Sequence, residues 1–319
     1  MKYQIKPFVK EYLAPAVKLF LANYKSEQIT TPLLPPGLCD DPEWIKKEIE
    51  NKAANPGIAI FDQGEMVAFM ITGYIFNFKG QKAAMIPEYL HASIEKDKRN
   101  LNQLAYMHLS SKWIENGIHL HLIGHFAHDH ILLETLFQLG FGAILSERLR
   151  DLSLIDVNAD FEILQENVPD NLVNIELEHR LYYRQAPIFL AKNVEREQII
   201  ESLEEYKSNG DTFFVCYQNK QVFGYFVVGE SARDAEGFLL QNTRTAQIKG
   251  AYIRPEMRDQ GIGTCILNKS INWAKVNGFE RLFVEHETAN YFGGRFWEKH
   301  FTPYLYFSMR YIDSGLGSE

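Results

Sequence analysis

An order of strand, short glycine turn, helix and second strand at residues 245–287 constrains the fold more than any other feature of this chain. The glycine turn carries the pattern R-x-x-G-x-G at Arg258, Gly261 and Gly263. A connection of this kind is right-handed, so the two strands are predicted to lie parallel in one sheet. The antiparallel hairpin predicted just upstream makes that sheet a mixed one, which indicates an α+β fold.

The glycine turn, residues 258–263, also predicts an anion site. Glycine has no Cβ, so the backbone can come close to a bound group. The first N–H groups of the helix that follows have no internal partner and lie at the positive end of its dipole. A phosphate or pyrophosphate is the anion most often bound in such a place. We therefore expect a phosphate-bearing ligand here.

Several motifs around this turn occur in the order and at the spacing of one known family. Together they resemble the GNAT superfamily of acyl-CoA-dependent N-acyltransferases. The matching segments are Ile253-Arg254-Pro255, the pattern from Arg258 to Gly263, the series Leu282, Val284, His286 and Asn290, and Phe296-Trp297-Glu298-Lys299-His300-Phe301. The strong match covers about residues 245–305, and the hairpin at 212–228 fits the earlier strands of the family.

The resemblance implies acetyl-CoA as cosubstrate and transfer of its acyl group to a primary amine by direct attack. Backbone N–H groups of the turn would hold the CoA pyrophosphate, and the residues concerned are Arg258, Asp259, Gln260, Gly261, Ile262, Gly263 and Thr264. The backbone of Ala251, Tyr252 and Ile253 would pair with the pantetheine arm like an added strand. Asn290 would lie beside that arm, and the N–H of Ile253 would polarise the acyl carbonyl.

The first half of the chain is similar to a second, degenerate copy of the same domain. The predicted elements run in a similar order twice, with a boundary near residues 152–159. We therefore expect two tandem GNAT-like domains, residues 1–155 and residues 156–319, each a mixed, mainly antiparallel sheet with flanking helices and a parallel βαβ centre. No glycine occurs between Ile86 and Asn116, so no CoA site is expected in the first domain.

The catalytic residues fall where the chain departs from the family pattern. Phe296 or Trp297 stands where many family members have a tyrosine that protonates the CoA sulfur, and the strand at 245–253 has no carboxylate. His286 is the candidate base, and Glu287 or Glu285 is a candidate for binding the cationic amine or passing a proton through water. The acid would be Tyr291, Tyr304, Tyr306 or water. Each has a plainer alternative: a hydrogen-bonded core histidine, a solvated charge and a packed tyrosine.

Composition narrows the range of partners. The formal net charge is −8, with 33 Lys and Arg against 41 Asp and Glu, so neither nucleic acid nor an anionic membrane is an expected partner. The three cysteines are far apart and predict neither a disulfide nor a metal site. Without a signal-peptide core or a long apolar run, we expect a cytoplasmic protein. It would act as a monomer or homodimer on a small-molecule or peptide amine.

Three other interpretations stay open. Five histidines crowd residues 119–130, which suggests a metal, but a structural role in the first domain is expected instead. A dinucleotide site would need a third glycine where Ile266 stands. A non-catalytic CoA-binding or ligand-sensing protein would explain the missing tyrosine and the missing strand carboxylate.

Overall fold

The computed structural model describes residues 2–167, 171–231, 237–241 and 243–316. The chain divides into two compact units, one formed by Met1–Ser146 with Pro303–Glu319 and the other by Glu147–Thr302. This division differs from the predicted boundary at residues 155 and 156 in two respects. The first unit ends inside a strand, and the C-terminal segment belongs to the first unit rather than to the second.

Both units contain helices and strands. The helices are α1 Leu13–Thr30, α2 Gly37–Asp40, α3 Glu43–Lys52, α4 Lys98–Glu115, α5 His130–Gln138, α6 Leu172–Tyr183, α7 Arg196–Ser208, α8 Ile262–Val276 and α9 Tyr291–His300. The strands are β1 Gln4–Pro7, β2 Gly57–Asp62, β3 Glu65–Ile71, β4 Tyr74–Phe78, β5 Gln81–Ile86, β6 His91–Ser93, β7 Leu120–Phe126, β8 Gly142–Arg150, β9 Glu162–Glu166, β10 Thr212–Gln218, β11 Gln221–Glu230, β12 Thr245–Ile253, β13 Arg281–Glu287 and β14 Thr302–Tyr311.

The first unit contains two groups of paired strands. The order β1-β2-β3-β6 is antiparallel throughout. In the order β4-β5-β7-β14, β5 and β7 lie parallel and the other pairs are antiparallel. Helix α4 lies on the connection between β5 and β7, which is the expected crossover. The pairing of β14 with β7 is what places the C-terminal strand in this unit.

The second unit contains the sheet order β13-β12-β11-β10-β9. Strands β12 and β13 are parallel and joined through α8, and the other neighbours are antiparallel. The predicted fold class is thereby confirmed, with mixed sheets and a parallel βαβ centre in each unit. Strand β9 was not predicted, because Glu-Ile-Leu-Gln-Glu shows neither strict alternation nor a β-branched run.

The sheet of the second unit is covered on both faces. One apolar cluster joins α6 and α7 to the sheet, through Ile175, Ile199, Leu203, Phe213, Tyr225 and Tyr252. The other joins α8 and α9, through Phe226, Ile248, Ile262, Ile266, Ile271, Val284 and Trp297. The apolar residues of α8 recur three to five positions apart, so they form one buried stripe along the helix. This packing fixes the start of α8 against the end of β12.

Within the described ranges, no helix is both long enough and apolar enough to cross a membrane.

Candidate active site

The glycine turn lies between the end of β12 and the start of α8, as predicted. A single 3-10 turn, Pro255–Met257, follows the strand, and Gly261 adopts a φ of 91° immediately before the helix. A Cβ on Gly261 would lie 3.2 Å from Ala159 Cβ, and a Cβ on Gly263 would lie 3.1 Å from the ring of Phe296. Left-handed backbone and close neighbours therefore both favour glycine at this turn.

Among the described residues, the first N–H groups of α8 have no hydrogen-bond acceptor. The amide of Cys265 makes the first hydrogen bond of the helix, to Gly261 O at 3.0 Å. The amides of Ile262, Gly263 and Thr264 precede that bond, and they have no acceptor within the helix. They lie at the positive end of the helix dipole, so the position can bind an anion.

One edge of β12 is open near its end. Strand β12 pairs with β11 as far as Ile253, but its parallel pairing with β13 extends only as far as Ile248 opposite Val284. The amide of Arg254 donates to the carbonyl oxygen of Phe223, on β11, at 2.9 Å. Because N–H groups alternate in direction along a strand, those of Ala251 and Ile253 face the opposite, open edge. An extended ligand arm can pair with that edge.

The glycine turn and the open strand edge border the same cavity. Its volume is about 950 Å³, and all of its lining residues belong to the second unit. The predicted cofactor residues found in its lining are Ala251, Tyr252, Ile253, Arg258, Asp259, Gly261, Ile262, Gly263, Thr264 and Asn290. Gln260 is exposed, and its amide donates instead to Glu256 O at 3.0 Å.

Arg258 extends into this cavity among aromatic rings. Its Nε donates to Ile253 O at 3.1 Å, and its guanidinium lies 4.7 Å from the ring centre of Phe292 and 4.9 Å from that of Tyr182. A cation over the face of a ring is attracted by the ring quadrupole. Arg258 therefore links the glycine turn, the strand edge and α6 by its side chain as well as by its backbone.

Asn290 is the N-cap of α9. Its Oδ1 accepts the Gly293 amide at 3.0 Å and the Tyr182 hydroxyl at 2.7 Å. The side chain thus ties the start of α9 to α6 across the cavity. A direct contact between Asn290 and pantetheine stays a prediction.

Replacing Asn290 by alanine should lower the free energy of unfolding of the second unit by about 1–2 kcal/mol, because the helix loses its cap. Urea unfolding followed by circular dichroism measures the change. Asn171 is a matched control, since it precedes α6 but makes no capping hydrogen bond. An equal loss in Asn171→Ala would contradict the capping role of Asn290.

His286 lines the cavity, but both of its ring nitrogens have partners. Nδ1 lies 3.0 Å from Glu287 O, a carbonyl that can only accept, so Nδ1 carries the proton. Nε2 then accepts from Arg148 Nε, at 3.0 Å. Burial, with a smaller contribution from the Arg148 charge, lowers the pKa of His286 to about 4. A neutral ring whose lone pair is already engaged is poorly placed to take a proton from a substrate.

The other two predicted catalytic residues lie in different surroundings. The Glu287 carboxylate accepts a hydrogen bond from the Tyr183 hydroxyl. Burial, together with the charge of Glu287, raises the pKa of Tyr183 well above its usual value. Tyr291 is 54% exposed in the first turn of α9, and its hydroxyl accepts from Arg295 Nη1 at 2.9 Å. Their catalytic roles stay predictions.

Three polar residues beside the cavity were missed by the sequence interpretation: Glu176, His179 and Tyr225 (the α6 cluster). The Tyr225 hydroxyl donates to Glu176 Oε2, and His179 Nδ1 lies 2.9 Å from that hydroxyl and 3.3 Å from Oε2. Arg180 Nε donates to Glu176 Oε1 at 2.9 Å. Burial alone would raise the pKa of this carboxyl, but the hydrogen bonds that it accepts from His179, Tyr225 and Arg180 outweigh burial and lower the pKa to about 2.

The sequence holds a spacing signal for the two members of the α6 cluster that lie on the helix, together with Tyr183. Glu176, His179 and Tyr183 stand at positions i, i+3 and i+7, which share one face of a helix. That helix lies far upstream of the glycine turn, so nothing local connects the two.

Three of the five histidines at residues 119–130 contact three different side chains. His121 Nδ1 lies 2.7 Å from the Tyr106 hydroxyl, His125 Nε2 lies 3.0 Å from Ser308 Oγ, and His128 Nδ1 lies 2.7 Å from Glu27 Oε1. In the described part of the chain, no three His, Cys, Asp or Glu side chains are grouped closely enough to hold a metal ion.

Comparison with known proteins agrees with this geometry. The model of the acetyltransferase (GNAT) family matches residues 176–301, the segment that contains most of the cavity lining. No curated protein matches the sequence.

Solved structures extend the likeness to the whole chain. A GCN5-related N-acetyltransferase from Sphaerobacter thermophilus is similar over 98% of this chain and 96% of its own, at 12% identity and a TM-score of 0.59. The glucosamine N-acetyltransferase region of a fungal multi-domain beta-N-acetylglucosaminidase is similar over 96% of this chain and 38% of that protein, at 12% identity and a TM-score of 0.50. A tandem GNAT protein from the clavulanic acid biosynthesis pathway aligns over 97% of this chain and 98% of its own, at 10% identity and a TM-score of 0.49. At such identities the first two show the fold alone.

Proposed function

Because residues 176–301 match the model of the acetyltransferase (GNAT) family, we propose that this protein transfers an acetyl group from acetyl-CoA to a primary amine. The family and the fold indicate acyl transfer in general. The choice of acetyl-CoA as donor and of an amine as acceptor is our proposal, and the acceptor would be a small molecule or a peptide N-terminus.

One observation supports the proposal most strongly: the unpaired amides of the glycine turn and the open edge of β12 border a single cavity. CoA combines a pyrophosphate with an extended amide-bearing arm. Its binding site therefore needs an anion site with an open strand edge beside it. The pyrophosphate would bind at the amides of Ile262, Gly263 and Thr264, at the helix N-terminus. The arm would lie along Ala251 and Ile253 as an added strand.

The same arrangement suggests how the thioester is activated. The carbonyl oxygen of a thioester gains negative charge as an amine attacks its carbon. An N–H group of the open edge, from Ala251 or Ile253, can stabilise that charge. Cavity walls from α6 and α9 exclude part of the surrounding water, and this strengthens the hydrogen bond.

The alternative is a protein that binds CoA without turnover. It is favoured by the engaged lone pair of His286 and by the exposure of Tyr291, which leave two predicted catalytic groups poorly placed. Both functions share the CoA site, so binding alone does not separate them.

Two measurements test the proposal. Titration calorimetry with acetyl-CoA, and with NAD as the comparison ligand, should give binding by acetyl-CoA only. Release of CoA thiol, followed with a chromogenic disulfide over a panel of primary amines, should show amine-dependent turnover. Tight binding of acetyl-CoA with no amine-dependent thiol release would favour the alternative. Absence of any acetyl-CoA binding would overturn both functions.

A further inference from the structure

We propose that Nε2 of His179 is the general base that removes a proton from the acceptor amine, with Glu176 and Tyr225 as positioning residues. The inference rests on the proposed acyl transfer. It assigns the base to α6, outside every motif that marks the donor site.

His179 lies beside the open edge of β12. Its imidazole stacks on the ring of Tyr252, with ring centres 5.2 Å apart and planes inclined by 27°. Tyr252 stands between Ala251 and Ile253, the two residues whose amides face the open edge. His179 and these residues all line the same cavity. A base here is therefore next to the strand segment at which the thioester would be held.

The hydrogen bonds of the α6 cluster fix the tautomer of His179. Glu176 is ionised, so its oxygens can only accept hydrogen bonds. Tyr225 has one proton and donates it to Glu176, which leaves the phenol oxygen as an acceptor toward the imidazole. Nδ1 of His179, at 2.9 Å from that oxygen, must therefore carry the ring proton. The lone pair of the neutral ring is then on Nε2.

That lone pair is available. Among the described residues, Nε2 of His179 has no hydrogen-bond partner, whereas both ring nitrogens of His286 are engaged. The His179 side chain keeps 12% of its surface exposed, so it is packed but reachable from the cavity. A carboxylate behind Nδ1 also stabilises the imidazolium that forms when Nε2 takes a proton.

The step balances as follows. Nε2 of His179 takes one proton from the ammonium form of the acceptor, which leaves a neutral amine. The amine nitrogen forms a bond to the thioester carbon, and the carbon–sulfur bond breaks. A second proton leaves the nitrogen as the amide forms, and the CoA thiolate gains one proton. His179 returns its proton to solvent, so each turnover yields amide, CoA thiol and one free proton.

Other ionisable groups surround His179 and contribute to its field. Helix α6 itself supplies Glu176, Arg180 and Tyr183. Tyr225 faces the imidazole from β11 and Tyr252 faces it from β12. Beyond Tyr183 lie the Glu287 carboxylate of β13 and the Lys192 ammonium.

The first test is the pH dependence of acetyl transfer to the amine that gives the fastest thiol release in the panel. His179→Gln should lower kcat/KM about 100-fold at neutral pH and remove the acidic limb of the pH profile. Glu176→Gln should shift that limb to lower pH, because the imidazolium loses its carboxylate. His130→Gln, at an exposed position, is the control. A His179→Gln enzyme within threefold of the parent, with the same acidic limb, would overturn the proposal.

The second test does not depend on the acceptor. Long-range proton–nitrogen NMR spectra of the chain labelled with ¹⁵N-histidine report which ring nitrogen of His179 carries hydrogen, and the spectrum of His179→Gln assigns the signal. If the proposal is correct, the Nδ1–H tautomer is found. The Nε2–H tautomer would overturn the proposal. Calorimetry of His179→Gln with acetyl-CoA should give the parent affinity. If the parent acetylates no amine, the proposed function fails and the base role fails with it, whichever tautomer NMR reports.

Discussion

Acetyl-CoA should bind about 100-fold more weakly when Gly261 is replaced by glutamate. The residue has a φ of 91°, and a Cβ there would lie 3.2 Å from Ala159 Cβ and 3.3 Å from Val157 Cγ2. A carboxylate at this position would also lie near the free amides of α8, where it competes with the pyrophosphate and repels it. A 100-fold loss corresponds to about 3 kcal/mol of binding free energy, and titration calorimetry measures it.

Gly278→Glu is the matched control for this variant. Gly278 lies just beyond the other end of α8 and has a φ of 78°, and a Cβ there would meet no atom of the described residues within 4 Å. The substitution adds the same charge and a similar backbone strain far from the amides of the glycine turn. It should leave the acetyl-CoA affinity within about threefold of the parent. If both variants bind acetyl-CoA like the parent, the site is not at the glycine turn.

The protein should lose stability steeply as the pH falls from about 6.5 to about 4. Burial lowers the pKa of His121, His125 and His286 to about 4, while the ordinary value is 6.5. Between these values the unfolded chain binds more protons than the folded chain. Stability from these neutral histidines is therefore full above pH 6.5 and is lost as the pH approaches 4. Each histidine accounts for about 3 kcal/mol of the loss.

His121 offers the sharpest test of this pH effect. Its Nε2 donates to Ile118 O at 3.1 Å and its Nδ1 accepts from the Tyr106 hydroxyl, so a second proton on the ring breaks the hydrogen bond that Tyr106 donates. His121→Asn keeps an acceptor near Nδ1 but does not titrate. Urea unfolding between about pH 7 and pH 4.5 should show a smaller slope for this variant. His130→Gln is the exposed control, and an unchanged slope in His121→Asn would contradict the prediction.

The proposed donor half of the site was predictable from the sequence because its parts are close together along the chain. Gly261 and Gly263 lie between a strand and a helix, as the pattern predicted, and the left-handed φ of Gly261 agrees with that position. The resemblance to the family also implied that the backbone of residues 251–253 would pair with a ligand arm. Backbone chemistry depends on element order and spacing, which a single sequence carries.

The proposed proton-transfer half of the site could not be predicted from the sequence, because it depends on which side chains meet in three dimensions. His286 stands in a family motif, yet Arg148 and Glu287 engage both of its nitrogens. His179 stands outside every motif, yet packing of α6 on β11 and β12 brings it beside Tyr225 and Tyr252. The hydrogen bonds at each imidazole ring decide whether it can take a proton. No periodic pattern in the sequence predicts those hydrogen bonds.

The pairing of β14 with β7 affects the order in which the two units can fold during synthesis. The first unit needs residues 303–319 as well as 1–146, so it cannot be completed until the ribosome has passed β14. The second unit, 147–302, leaves the ribosome whole before that and can fold first. Until then β7 lacks its antiparallel neighbour, and an unpaired strand edge invites aggregation. A gene fragment cut after residue 302 would therefore yield a complete second unit tethered to an unfinished first one.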